Sequence, residues 1–195
     1  VQACSSSSVM NEEQNDYCQY VNTLIGTAEN GHTYPGATSP FGLIQASPET
    51  GNDGWKYCSG FNLSDDSIIG FAQTHLSGTG GPGLGDILLL PFSHDKNSFP
   101  YKTKYEKESQ VATAGYYSVV LPDENIQAEM TTTQRTAFYR FIYKASDEPR
   151  QLLLDLQNGI AGWGKNVNQL VLSATMQTPN AYTITGYNDI EAWVH

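Results

Sequence analysis

The sequence predicts an all-β protein, an antiparallel β-sandwich, on three observations. Short runs rich in β-branched and aromatic residues recur from Gly115 to Tyr187, with turn formers between them. Gly26, Gly31, Pro35, Gly36, Pro40 and Gly42 follow one another too closely for any helix. No stretch sustains a helical period, and no internal repeat is present.

Taken in order, residues 1–16 are polar and low in complexity, so a disordered tether is expected there. Residues 17–195 then form the sandwich domain. Leu43–Ala46 is a short strand between turns, and Ser67–Gln73 is the next. Asp86–Phe92 (DILLLPF) is a clearer one, stopped by Pro91. Lys102–Lys107 is too charged for a core and suits an edge strand or loop. Gly115–Leu121 (GYYSVVL) ends at the turn Pro122–Asn125, and Ile126–Thr133 alternates after it. In Thr136–Tyr143, one face carries Ala137, Tyr139, Phe141 and Tyr143, and the other Thr136, Phe138, Arg140 and Ile142. Gln151–Leu156, Asn168–Ala174 and Ala181–Tyr187 complete the series. The last residues, Ala192-Trp193-Val194-His195, read as the start of a further strand, so a domain truncated at its C-terminal end is expected.

Composition narrows the partners. Over 195 residues the formal charge is -10, with ten Lys and Arg in all. Nucleic acid needs a Lys/Arg-rich face, which this chain lacks. Attraction to an anionic membrane by charge is excluded in the same way, and no apolar run reaches the length of a membrane-spanning helix. A surface rich in Gly, Ser, Thr, Asn, Gln and Tyr suits a secreted β protein with a neutral ligand such as a sugar. Cys4, Cys18 and Cys58 are too few and irregular for a disulfide framework or zinc knuckle. Val1-Gln2-Ala3-Cys4 has two readings: the end of a bacterial lipoprotein signal with Cys4 as the lipidated residue, or a tail with an incidental cysteine.

The unusual chemistry gathers between Asp53 and Asp86, in DGWKYCSGFNLSDDSIIGFAQTHLSGTGGPGLGD. Gly78–Gly83 matches the dinucleotide pattern of spaced glycines, but a strand follows where that motif needs a helix, so nucleotide binding is rejected. His32, His75 and His94 fit no zinc spacing. His94 suits a solvent-facing loop, while His32 and His75 sit in Gly/Thr-rich loops and either bind a polar ligand or stitch the loop. No serine stands in a nucleophile elbow. Asp65-Asp66 reads as a turn and Asp86 as a strand entry. Asn62-Leu63-Ser64 is a sequon, relevant only in a eukaryotic secretory pathway. Trp55 is flanked by turn formers, leaving two readings: a platform for the apolar face of a sugar, or a plug at the end of the sandwich.

The runs VNTLIGTAENGHTYPGATSPFGLIQASPET and YCSGFNLSDDSIIGFAQTHLSGTGGPGLGDILLLPF resemble the N-terminal domain of glycoside hydrolase family 92, as do LLLDLQNGI and YNDIEAWVH further on. The resemblance covers Tyr17 to His195. It implies exo-acting, calcium-dependent α-mannosidases, found largely in bacteria that digest host and yeast glycans. Their architecture sets an N-terminal β-sandwich on an (α/α)6 barrel, with the active site between the two and the barrel absent here. The resemblance further implies that the sandwich lends Gly31, His32, Asp53, Trp55, Cys58, Ser59 and His75 to a mannose pocket. Asp53 and the histidines would bond sugar hydroxyls, and Trp55 would stack on or flank the ring. Reaction with inversion needs a general acid and a general base about 6.5–9.5 Å apart. Both, with most of the calcium ligands, are expected on the barrel, which leaves no catalytic residue and no metal ligand to assign here. The alternative is a stand-alone carbohydrate-binding module without catalysis. The expected setting is the periplasm, the cell surface or the exterior of a bacterium.

Overall fold

The computed structural model describes residues 17–93, 102–145, 147–161 and 170–192. The tether, Cys4, His94 and the strand start at Trp193 lie outside these. In chain order the strands are β1 (Ala37–Thr38), β2 (Gln45–Glu49), β3 (Ser67–Ile68), β4 (Gly70–Ala72), β5 (Leu88–Phe92), β6 (Thr103–Lys104) and β7 (Glu106–Thr113). They continue with β8 (Tyr116–Leu121), β9 (Ile126–Thr132), β10 (Ala137–Tyr143), β11 (Gln151–Asp155), β12 (Leu170–Asn180) and β13 (Thr183–Glu191). The helical content among the described residues is three 3-10 turns, at Tyr17–Tyr20, Trp55–Tyr57 and Pro122–Glu124. The fold is all-β, as the sequence predicts.

Two antiparallel sheets make the sandwich, one in the order β1-β2-β4-β5-β11 and one in the order β10-β9-β8-β7. The two faces of β10 alternate as the sequence divides them, and the structure sets which one turns inward. Tyr139, Phe141 and Tyr143 pack on the core, while Phe138 and Ile142 are exposed. Between the sheets lie Ala37, Ala46 and Phe71 from one side and Tyr117, Val119, Leu121, Ala128 and Met130 from the other. Phe71 meets Phe141 with ring centroids 6.0 Å apart. Tyr139 ties the layers by a hydroxyl that donates to the Ala72 carbonyl and accepts from Gln73 Nε2. Burial pushes its phenol far up.

Three strands depart from expectation for physical reasons. The Leu43–Ala46 strand is shifted to Gln45–Glu49, where it pairs with β1 and β4. Ser67–Gln73 is two strands that part at Ile69: β3 pairs with β6, while β4 joins the larger sheet. Gly70, with φ 155, allows that change of course. Pro91 lies within β5 rather than ending it. It pairs with Leu152 of β11, whereas β4 reaches β5 only at Phe71–Leu89, so the proline interrupts no ladder on that side. The charged segment from Lys102 supplies β6 and the start of β7, an edge strand. The β12–β13 hairpin is longer than predicted and encloses, against β5 and β11, an apolar trough of about 450 Å³ lined by Leu89, Leu154, Met176 and Ile184.

Burial decides what core substitutions cost. Phe71 is fully buried and Phe138 is 65% exposed. Phe71→Ala should lower unfolding free energy by about 3–5 kcal/mol, and Phe138→Ala by no more than about 0.5 kcal/mol. Urea titration of the two variants checks this, and equal losses would mean that β10 turns its other face inward.

Candidate functional site

The loops at one end of the larger sheet bring the aromatic and histidine residues together. Trp55 opens a 3-10 turn after Gly54, whose φ of 93 swings the chain out of the Asn52-Asp53 segment. Its indole is 40% exposed, too open for a plug of the sandwich. His32 stands edge-on to it, ring centroids 4.5 Å apart and planes at 85°. Gly80 closes over both: a Cβ there would lie 3.3 Å from the indole and 3.5 Å from His32 Nδ1. His32 takes a left-handed φ of 55, and its carbonyl accepts the Gly78 N–H at 2.6 Å. Its Nε2 is enclosed and has no hydrogen-bond partner among the described residues. A buried unsatisfied nitrogen carries a desolvation cost, so it marks a place where a polar ligand atom would be stabilised.

The other predicted residues fall around and beneath that pair. Asp53 is exposed beside Trp55, its backbone bridged to Ala161. Gly31 is exposed and packs so closely on Gly26 that a Cβ would stand 2.1 Å from the Gly26 carbonyl oxygen. Cys58 is buried, and Ser59 is buried with its hydroxyl donating to the Thr33 carbonyl. The sequon asparagine, Asn62, is buried too, and its carboxamide nitrogen donates to the Glu29 carbonyl. These bonds fasten the 58–62 segment to the turn that carries His32.

His75 is placed beneath the surface. Its side chain is fully buried beside Tyr34, and Nδ1 lies 2.7 Å from the Gln45 carbonyl, which only an N–H there can satisfy. Nε2 faces Glu49 Oε1 at 3.4 Å, within ion-pair reach though not aligned for a hydrogen bond. The other oxygen of Glu49 accepts from Asn158 Nδ2 at 2.9 Å. Burial pushes the Glu49 carboxyl above its usual range, with His75 pulling the other way. Sequence reasoning missed Glu49, Asn158 and Gly80. Glu49 stood in a run read as turn (SPET), and its partner Asn158 lies 109 residues away.

Among the described residues, no group of three or more His, Cys, Asp or Glu side chains is arranged to hold a metal ion. The calcium implied by the family resemblance therefore finds no cluster of these side chains among the described residues.

A family model described as the glycosyl hydrolase family 92 N-terminal domain matches residues 20–195. The fold is similar to a family GH92 α-mannosidase from Bacteroides thetaiotaomicron, with a TM-score of 0.82 and 34% identity over 90% of this chain and 24% of that one. It is also similar to a GH92 family glycosyl hydrolase at a TM-score of 0.72 and 26% identity, over 88% of this chain and 24% of the other. An uncharacterized secreted glycosidase of Arthroderma benhamiae is 34% identical over 145 residues, which are 69% of this chain and 18% of that protein. The chain thus spans about a quarter or less of the length of these relatives.

The buried carboxyl gives stability a pH dependence of known sign. A carboxyl whose folded pKa is raised adds stability below its ordinary value of about 4.3, and that stability is lost as pH rises through the folded value. Glu49→Gln keeps the shape and the neutral form. The variant should therefore gain on the wild-type chain as pH rises from about 4. Denaturant titrations across pH test this, and a gap that opens toward acid instead would mean that the fold holds the Glu49 carboxyl below its ordinary value.

Proposed function

Because this chain belongs to the N-terminal domain of glycosyl hydrolase family 92, we propose that it supplies one wall of the mannose pocket of an exo-acting α-mannosidase. The observation that carries this reading is the exposed indole of Trp55, held at a fixed angle by His32 and Gly80. An aromatic plane fixed at the surface offers stacking to the apolar face of a sugar at little entropic cost. Asp53 beside it offers hydrogen bonds to hydroxyls, and His32 fixes the plane of the indole. Gly31, Cys58, Ser59 and His75 act by shaping the turns that present these groups. The solved relatives named as α-mannosidases support the reaction, and one Bacteroides structure holds mannoimidazole.

The rest of the reading extends the family resemblance. The intact enzyme hydrolyses terminal α-linked mannose with inversion, on N-glycans or yeast mannan, and depends on calcium. Its acid, its base and its calcium ligands belong to an (α/α)6 barrel. The protein is exported by a bacterium, with Cys4 as the point of lipid attachment. The secreted relative supports export, and no helix among the described residues is long and apolar enough to cross a membrane.

Two outcomes follow. The 195-residue chain should not hydrolyse an aryl α-mannoside, with or without calcium; turnover by rigorously purified chain would put the catalytic pair on this domain. In the intact enzyme Trp55→Ala should lower kcat/KM by roughly ten- to a hundredfold, the equivalent of about 1–3 kcal/mol of stacking. Melting temperature should change little. A destabilised variant with normal kinetics in its folded fraction would remove Trp55 from the site.

A further inference from the structure

Both limbs of the Trp55 site are held from below by one side chain. Asn158 is 95% buried, at 5% exposure. Its Nδ2 donates to Glu49 Oε2 at 2.9 Å and to the Gly85 carbonyl at 2.7 Å. Its Oδ1 accepts from Asn52 Nδ2 at 2.9 Å. A carboxamide has two donor hydrogens and one acceptor oxygen, and here each has a partner.

Those partners sit on different loops. Asn52 belongs to the segment that leads through Asp53 and Gly54 into Trp55. Gly85 closes the glycine-rich loop whose Gly80 covers Trp55 and His32. The neighbours of Asn158 reinforce the same two loops: Ile160 N–H donates to the Leu84 carbonyl, and Ala161 N–H donates to the Asn52 carbonyl. Leu84 in turn bridges to His75. Glu49 anchors the carboxamide and requires the bare backbone of Gly85, where a Cβ would stand 2.6 Å from Oε1.

We infer that Asn158 is a positioning residue for sugar binding. By spanning Asn52 and Gly85 it sets the separation of the two loops that frame Trp55. The inference rests on the mannose reading of that site. It adds a residue that touches no sugar and acts through loops 50–55 and 78–85.

Two variants and two measurements test it. Asn158→Asp keeps the size, removes both donors and sets a second carboxylate against Glu49. Asn52→Ala removes only the arm to the Trp55 turn, at a partly exposed position that the core does not need. In the 195-residue chain, the 5-fluorotryptophan resonance of Trp55, assigned by Trp55→Phe, should shift in both variants. In the intact enzyme, KM for an aryl α-mannoside should rise about two- to tenfold in Asn52→Ala with kcat nearly unchanged, as expected for one lost hydrogen bond. Should Asn158→Asp fail to fold, Asn52→Ala alone decides. An unmoved Trp55 resonance overturns the inference, as does a moved resonance with unchanged kinetics in an active mannosidase. A lowered melting temperature with both readouts unchanged also overturns it, since that is all a purely structural role would produce. A shifted resonance in an enzyme with no mannosidase activity would uphold the loop coupling and overturn the sugar reading.

Discussion

A carboxyl group with no exposure to solvent governs this end of the fold. Glu49 closes β2, and its side chain points into protein on every side. Burying such a group is costly unless hydrogen bonds or a partner charge compensate. The hydrogen bond that compensates it comes from Asn158, which arrives after β11, while His75, from the loop after β4, faces the other carboxyl oxygen at 3.4 Å. Segments far apart in the chain are thereby obliged to meet at one point. The loops that cover the point cannot move apart without stripping the carboxyl of its partners.

The sandwich and the site consequently rest on different physics. Phe71, Tyr117, Met130 and their neighbours join the sheets by burying apolar area, a non-directional effect that tolerates small shifts. The site is held by directional bonds of 2.7–3.0 Å at a few positions, which tolerate little. An apolar core could hold two sheets together without fixing any loop. A fixed aromatic plane at the surface needs the second kind of interaction.

The strands were legible where one face is wet and one dry. Alternation in 137–143 gave β10 and its two faces, and the turn chemistry of 122–125 gave the corner before β9, where Asn125 adopts the left-handed conformation at φ 55. The 67–73 run misled because its two halves serve different sheets, which leaves no mark in an apolar pattern. At Pro91 only knowledge of the missing neighbour strand would have allowed the strand to continue. In the site, turn formers around Trp55 left a surface platform and a plug both open, and the structure turns the residue outward. Nothing foretold that His75, in a loop of the same composition as that of His32, would be buried on a glutamate. Asn158 was illegible for the same reason: its role is defined by Asn52, Glu49 and Gly85, none of them near it in sequence.

Strain at the site fits this division. His32 and Leu84 both hold left-handed backbone, at φ 55 and 64, a conformation that costs non-glycine residues on the order of 1–3 kcal/mol. Such residues persist only where their surroundings over-determine them. His32 is pinned by its carbonyl to Gly78 and by its ring to Trp55, and Leu84 by its carbonyl to Ile160 and by its bridge to His75. The strain is therefore met during folding, by bonds that trace back to the Glu49 carboxyl, and not when a ligand arrives. A sugar that meets Trp55 finds the indole plane already set, so little of its binding energy goes into ordering loops.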